Sequence, residues 1–543
     1  MCGIFFTNST SPLENYQMFQ SLKHRGPDVS VFRQEAEYTC GFHRLAIIEP
    51  MQTIVQPFFY KHIVVLCNGE IYNWKQLYKR YVMAFRPVET LPTDCGIIPL
   101  LYEYFQGDFL QVIKKLEGEF AIVLYDTLRH KAYATRDFMG VRPLYYTTHE
   151  SNIWFASEIK ALPSQYPIHH IEPRKVYCFD LSEYTIFKEE YWTFPDYSQI
   201  QPTLSTNDIL NQIYNRLKYS VVQRLQSDQP IGCLLSGGID SSVIVALAAS
   251  VHPNIQCFTI GVPGSPDIKA AQRVADFLNV PLTVVDFSIE EGIASIIPVI
   301  YQLETYDITT IRASIPQYLL AKWIRKNTNI RVLLSGEGSD ELFSGYIYSK
   351  LAPSSQELFK DGIRLLDQLY YYDCLRTDRT LSAWGLEVRV PFLHPYLVDF
   401  VLSLDPELRM CSKEPLLGIE RKLEKGLLRA MIHTYKLLPE DICFRPKEAF
   451  SDAVSAQGQI SWYRSIQKWI EPHEFELSKP AEINPPLSQE SKFYRNIFQI
   501  LFPNQEHILP TFWMPRWTQQ TDPSATVLAC HHANNTSDRD QPT

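Results

Sequence analysis

The stretch "IGCLLSGGIDSSVIVALAAS", residues 231–250, decides the fold of the larger part of this chain. Ile231–Leu235 reads as a buried strand, Ser236-Gly237-Gly238 breaks it, and "SSVIVALAAS" reads as a helix. Two adjacent glycines let the backbone approach a ligand closely and aim successive N–H groups at one spot. The helix N-terminus behind them adds positive potential, so the loop favours a phosphate or pyrophosphate. Ser236, Ser241 and Ser242 add hydroxyl donors. Asp240 would repel phosphate unless a cation stood between them, which points to Mg²⁺. The G-x-x-x-x-G-K-[ST] loop is absent, so cleavage between the α and β phosphates is favoured over γ-phosphoryl transfer. A bare Ser-Gly-Gly would read more simply as a Gly/Ser-rich turn. The Asp-Ser-Ser that follows, between strand and helix, is what argues for a ligand.

Working outward, "NDILNQIYNRLKYSVVQRLQ" (207–226) has apolar residues at helical spacing behind an Asn/Asp cap. "IQCFTIGV" (255–262) reads as a strand, "IKAAQRVADFLNV" (268–280) as a helix and "PLTVVDFS" (281–288) as a strand. "LLSGEGSDELFSGY" (333–346) repeats the strand-to-loop pattern with three carboxylates, Glu337, Asp340 and Glu341. Such a cluster is costly without a metal or a cationic group to balance it. "FRPKEAFSD" (444–452) brings Arg445 and Lys447 as counter-charges for phosphate. Alternating strands and helices imply a parallel, helix-covered sheet with its ligand at the strand carboxyl ends.

The first 180 residues read differently. "IVVLCNGEIYNW" (63–74), "FAIVLYD" (120–126), "KAYATRD" (131–137) and "IWFASE" (153–158) are short strands, with one helix around "CGIIPLLYEYFQ" (95–106). This is an α+β pattern. The polar, Pro-containing stretch 180–206 is the expected linker, and the tail 529–543 is expected to be flexible.

The length of 543 residues asks for two domains. Hydrophobic residues make up 45% and charged residues 20%, the composition of a globular protein. The net charge of −9 excludes a general nucleic-acid or membrane-surface binder. Eleven scattered cysteines without a C-x-x-C pair exclude a disulfide framework or zinc ribbon and suit a reduced, cytoplasmic chain. No signal peptide, myristoylation pattern or apolar run of membrane-spanning length is evident. Cys2 follows the initiator Met1, and removal of Met1 would put a thiol and a free α-amine on one residue. Their reference pKa values, near ~8.5 and ~7.7–8.0, leave both substantially reactive near neutral pH.

"MCGI", "HRGPD" (24–28), "FHRLAII" (42–48), "NGEIYN" (68–73), "RDFMGVRPLYY" (136–146), "FASEIKAL" (155–162), "LLSGGIDSS" (234–242), "ETYDITTIRAS" (304–314), "SGEGSDELFSGY" (335–346), "LEVRVPFL" (386–393) and "RPKEAFSD" (445–452), in this order, closely resemble glutamine-dependent asparagine synthetase. The resemblance runs from residue 1 to about 528, and "DPSATVL" (522–528) is similar to the animal-type enzyme. It implies an N-terminal-nucleophile glutaminase sandwich over residues 2–185 and an α/β ATP-pyrophosphatase domain, adenine nucleotide alpha hydrolase-like, over 207–528. By this resemblance Cys2 is the nucleophile, and Asn68 and Gly69 form the oxyanion hole. Arg44 through Leu45, Ala46, Ile47 and Ile48 line the glutamine pocket, and Glu70 and Asp94 hold the substrate ammonium. ATP falls to Leu235, Ser236, Gly237, Gly238, Asp240, Ser241, Ser242, Ile260, Ser335 and Gly336. Asp240 and Asp340 are the expected magnesium ligands, with Arg312, Glu337 and Asp340 on aspartate. Glu337 serves the intermediate and Lys447 neutralises pyrophosphate. The implied reaction makes asparagine through β-aspartyl-AMP, with ammonia carried through an internal passage. Its partners are glutamine, aspartate and ATP, with no nucleic acid or membrane and a homodimer as a candidate assembly.

Four positions depart from the family pattern: Gly96 after "TDC", "EPRK" (172–175) for a Pro-Gly turn, His394 in "VPFLHP" and Ala453 in "FSDA". His394 is expected to be a structural contact. His24 and His43 are read as structural, and "RLQ" (224–226) and "KLEKGLLR" (422–429) as solvated helix faces. Two other functions compete: a β-lactam-forming relative with another acceptor, and a non-catalytic scaffold. The first should lack Cys2, and the second should have lost Cys2, Asp240, Glu337 or Lys447, all of which stand.

Overall fold

Ile4 and Phe6 leave the first strand on one side and Phe5 on the other, and this alternation organises the N-terminal half. The computed structural model describes residues 1–48, 56–84, 93–200, 204–416, 419–421, 423–446, 461–473, 475–477, 480–520 and 522–523. Lys447, Ala453 and the expected tail 529–543 lie outside the described residues.

The N-terminal strands are β1 (Gly3–Thr7), β2 (Val29–Gln34), β3 (Thr39–Arg44), β4 (Phe58–Tyr60), β5 (Ile63–Ile71), β6 (Gly118–Asp126), β7 (Lys131–Arg136), β8 (Tyr145–His149), β9 (Asn152–Ala156), β10 (His169–His170), β11 (Lys175–Asp180) and β12 (Thr185–Glu190). They form two six-stranded antiparallel sheets, ordered β10-β8-β9-β1-β3-β2 and β12-β11-β7-β6-β5-β4. Ile4, Phe6, Phe42, Val64, Leu66, Val123 and Phe155 fill the space between them. The helix Ile97–Tyr104 covers the outer face of the second sheet, packing on Val65, Cys67, Ile122 and Leu124. β5 is therefore buried on both faces, which is why its sequence shows no polar alternation. The sandwich runs to Glu190, so part of the expected linker pairs with β11 as β12, beyond the expected boundary at 185. The expected single helix has company too: Pro12–Gln20, with weak periodicity of its own, and the five-residue Phe109–Ile113 are also helices.

The second domain holds β13 (Ile231–Leu234), β14 (Gln256–Gly261), β15 (Leu282–Asp286), β16 (Val332–Leu334) and β17 (Glu387–Arg389), all parallel, in the order β15-β14-β13-β16-β17. From β13 the chain proceeds first to β14 on one side, and later to β16 on the other. The loops after β13 and β16 thus flank a topological switch point, where a crevice opens at the carboxyl ends of the strands. The helix Thr206–Arg224 is capped by Ser205, whose side chain accepts from Asp208 N, rather than by the expected Asn/Asp pair.

The two domains share one core. Phe5, Trp154 and Ile159 from the sandwich pack in the same cluster as Ile300, Leu303 and Ile311. No helix among the described residues is long and apolar enough to cross a membrane, and no disulfide joins the ten described cysteines.

Candidate active sites

Cys2 stands immediately before β1, where the pairing of β1 with β3 brings it beside the strand end at Arg44. Leu45 N donates to Cys2 Sγ at 3.5 Å, and Cys2 N donates to Asn68 Oδ1 at 2.8 Å. Asn68 is fully buried in β5, and its Nδ2 has no hydrogen-bond partner among the described residues. A buried, unpaired amide donor beside a thiol fits an oxyanion hole. Gly69 follows at φ 151°, and a Cβ there would come within 2.0 Å of Glu119 O, so only glycine fits. Ala46 N donates to Asp28 Oδ2 at 2.9 Å and Arg44 Nη2 to Ile48 O at 3.0 Å, which fixes the segment Arg44–Ile48 beside Cys2.

Asp94 accepts from Ile71 N at 2.7 Å, and burial pushes its carboxyl up to about 6. Burial and the neighbouring Asp94 raise Glu70 well above the carboxylate range. Arg389 Nη2, from the second domain, is 3.7 Å from Glu70. Neither carboxyl is solvated, so a cation placed between them would be held strongly. While Met1 is attached, burial pushes the Cys2 thiol up to about 11. Met1 is itself buried, its amine 3.7 Å from Glu387, and Cys2 N is then a peptide amide that cannot act as a base.

The second site is a cavity of about 290 Å³ in the switch-point crevice. Leu235, Ser236, Gly238, Asp240 and Ser241 line it from the loop after β13, and Ile260 from the end of β14. Ser335, Gly336, Glu337 and Asp340 line it from the loop after β16, and Arg312 from the helix Ile308–Asn327. Ser241 Oγ bonds to Ser236 N and Oγ, at 3.1 and 3.0 Å, closing the loop on itself. Gly237 and Ser242 stand behind this wall rather than on it. Gly237, at φ 79°, packs so tightly on Ala270 and Ala271 that a Cβ would lie 2.5 Å from Ala271 N, and Ser242 is fully buried.

Glu337 accepts from Arg376 Nη2 at 2.7 Å and from Thr377 Oγ1 at 3.2 Å, while burial raises its carboxyl. Asp240 and Asp340, in the first turns of the helices Ile239–Ala249 and Ser339–Phe343, converge on Lys425 Nζ at 2.5 and 2.7 Å. Gly345 makes room for that arm, since a Cβ there would meet Lys425 Cε at 1.9 Å. The carboxylate pair evidently accepts a cation. Among the described residues no group of three or more His, Cys, Asp and Glu is arranged around one metal position. Two carboxylates suit Mg²⁺, which takes phosphate oxygens and water for its remaining positions.

Arg312 lines the cavity, and its guanidinium is engaged there by Glu490 Oε1 and Oε2 at 2.8 and 2.6 Å and by Asp522 at 3.0 and 2.9 Å. Two expectations are corrected here. "KLEKGLLR" is no solvated face: Glu424, Lys425 and Arg429 are each 2% exposed. "RLQ" is not one either, because Arg224 is buried on Glu119 at 2.7 Å. Both runs look polar locally because their charges are paired by distant segments. Arg445 lines the cavity and bonds Asp267 at 2.7 Å. His43 is structural, stacked on Phe19 with ring centroids 3.8 Å apart, and His394 caps the next helix at Tyr396 N. Lys425 and Arg376 were missed by sequence reading. The only available signal was a lysine directly before a helix-opening glycine.

The Asparagine synthase family model matches residues 212–364 and 357–529, and the Glutamine amidotransferase domain model matches 1–204. A probable asparagine synthetase [glutamine-hydrolyzing] of Acanthamoeba polyphaga mimivirus is 41% identical, covering 93% of this chain and 95% of that one. The asparagine synthetases [glutamine-hydrolyzing] of Gallus gallus and Rattus norvegicus are 38% and 37% identical, each covering 97% of this chain and 98% of theirs.

Proposed function

The chain belongs to the asparagine synthase family, and from that membership and its two sites we infer that it is a glutamine-hydrolysing asparagine synthetase. It hydrolyses glutamine to glutamate and ammonia, activates aspartate with ATP, and aminates the product to asparagine. The observation that carries this reading is near-full-length similarity across both halves of the chain.

In our reading of the first site, loss of Met1 frees the Cys2 amine to take the thiol proton. The thiolate attacks the side-chain amide carbon of glutamine, and the developing oxyanion is received by Asn68 Nδ2 and the Gly69 N–H. The proton returns to the leaving ammonia, and water then cleaves the thioester to glutamate. Arg44 takes the substrate carboxylate, with Leu45, Ala46, Ile47 and Ile48 as the adjoining wall. Glu70 and Asp94 take its ammonium.

At the second site the aspartate side-chain carboxylate attacks the α-phosphorus of ATP and pyrophosphate leaves. Ammonia attacks the resulting mixed anhydride, AMP departs, and Glu337 takes the released proton. Asp240 and Asp340 would hold magnesium, which supplies charge neutralisation for the pyrophosphate. Lys425 adds a second positive charge there, beside the role assigned to Lys447. An enclosed route between the sites would keep ammonia unprotonated and water away from the anhydride. Cysteines outside disulfides fit a reducing, cytoplasmic setting.

The test is amino-acid analysis of the purified enzyme given ATP, Mg²⁺, aspartate and either glutamine or ammonium. Wild type should form asparagine from both donors, and Cys2→Ala from ammonium alone. A folded wild-type protein that forms asparagine from neither overturns the reading.

A further inference from the structure

The ten-residue helix Asp373–Ser382 is touched by both sites. Asp373, Arg376 and Thr377 turn toward the nucleotide cavity, where Arg376 and Thr377 hold Glu337. Asp378 and Ser382, one turn apart, face the glutaminase domain instead. Both are completely buried, and both bind Arg25. Arg25 Nη1 donates to Asp378 Oδ2 at 2.8 Å and to Ser382 Oγ at 3.1 Å, and Nη2 donates to Asp378 Oδ1 at 3.2 Å. The remaining edge of the same guanidinium reaches the nucleophile: Arg25 Nε donates to Cys2 O at 3.0 Å.

This chain of contacts matters because Cys2, once Met1 is gone, is a chain end with no upstream peptide to hold it. Its nitrogen has Asn68 Oδ1 and its carbonyl has Arg25. The nitrogen must exchange protons with the thiol, so the carbonyl is the anchor that stays constant through the reaction. Arg25 in turn cannot be held by its own domain alone. Glu158, its other carboxylate at 2.7 Å, is shared with Arg379 at 2.6 Å, Lys160 at 2.6 Å and His24 at 3.1 Å. Asp378 is the group that grips both terminal nitrogens of Arg25 and so sets the plane in which Nε points. Arg142, 3.7 Å away, also faces Asp378 but donates to Glu119 and Val388 O.

We propose that Asp378, a residue of the synthetase domain, is a positioning residue for the glutaminase. It holds Arg25 against the Cys2 carbonyl and thereby fixes where the nucleophilic thiol points. The inference rests on Cys2 being the nucleophile, and it makes the geometry of glutamine hydrolysis depend on the partner domain. A misplacement of about 1 Å at a reacting group costs on the order of 10²-fold in rate, so the effect belongs in kcat.

The test is Asp378→Asn in the full-length enzyme, which keeps the shape and removes the charge-assisted grip. Glutamate release should fall by about 10-fold or more in kcat, with the KM for glutamine within about twofold, because the substrate is held by other residues. Ammonium-dependent asparagine synthesis should stay within about twofold of wild type. Ser382→Ala, which removes one neutral contact to Arg25, should give a smaller loss of the same kind and guards against a misfolded first variant. An unchanged glutaminase kcat in both variants overturns the proposal. So does a parallel fall of both activities, which would mark Asp378 as a brace of the domain interface. If wild type releases no glutamate, or Cys2→Ala releases as much as wild type, the nucleophile reading fails, and this proposal fails with it.

Discussion

Lys425 Nζ lies 2.5 Å from Asp240 Oδ2, joining residues 185 positions apart at the switch-point crevice. Asp340 completes the bridge at 2.7 Å, and the lysine is 2% exposed. The ammonium therefore stands where the two proposed metal carboxylates converge. Free divalent cation must displace it, whereas a metal that arrives with nucleotide brings phosphates to receive it. Lys425→Met should bind Mn²⁺ without nucleotide about 10-fold or more tightly than wild type, measured by electron paramagnetic resonance. Each tenfold corresponds to about 1.4 kcal/mol. Equal binding by the two proteins would show that Lys425 does not compete for the site.

Arg312 is held by two carboxylates of its own chain, Glu490 and Asp522. Glu490 is fully buried, and Asp522, 19% exposed, is the partner that an incoming carboxylate could displace. Asp522→Ala should lower the KM for aspartate several-fold and leave the KM for ATP unchanged, by steady-state kinetics with ammonium as donor. A raised aspartate KM would instead make Asp522 part of the substrate's support.

Asp94 has its carboxyl pushed up to about 6 by burial, against an ordinary value near ~3.9. Holding the glutamine ammonium requires the ionised form. The KM for glutamine should therefore climb as pH falls through about 6, while ammonium-dependent synthesis lacks that dependence. The stability sign is opposite. A carboxyl raised in the folded state contributes fully below its unfolded pKa, and that contribution is lost as pH rises through about 6. A flat glutamine KM between pH 5 and 7 would remove Asp94 from ammonium binding.

Gly69 combines φ 151° with a Cβ position 2.0 Å from Glu119 O. Gly69→Ala should lose about 1–3 kcal/mol of stability from backbone strain alone. It should lose glutamine hydrolysis as well, because the Gly69 N–H moves. Calorimetry and glutamate release check both. A variant with wild-type melting and wild-type glutaminase would show that β5 and β6 yield there without cost.

By itself the sequence determined the elements and the reaction class. The strand, glycine pair and helix of 231–250, the alternation of strands and helices after it, and the residues around Cys2 and Asn68 are local patterns. Backbone preference and hydrogen-bonding capacity act over a few residues, so a short window carries them. The loop after β13 stands at the carboxyl end of its strand, on the wall of the crevice. Less legible were Pro12–Gln20 and β12, whose own periodicity is weak and which rest on tertiary partners.

Only the tertiary structure decided which charges face one another. Arg25 and Asp378 are 353 positions apart, Lys425 and Asp240 are 185 apart, and Arg312 and Asp522 are 210 apart. In sequence each is one more charged residue, and "KLEKGLLR" reads as a solvated face for that reason. A buried charge is tolerable only where an opposite charge reaches it after folding, and a window along the chain does not contain that partner. The chemistry of each site is thus written locally, while the burial and mutual grip that aim its groups are properties of the assembled domains.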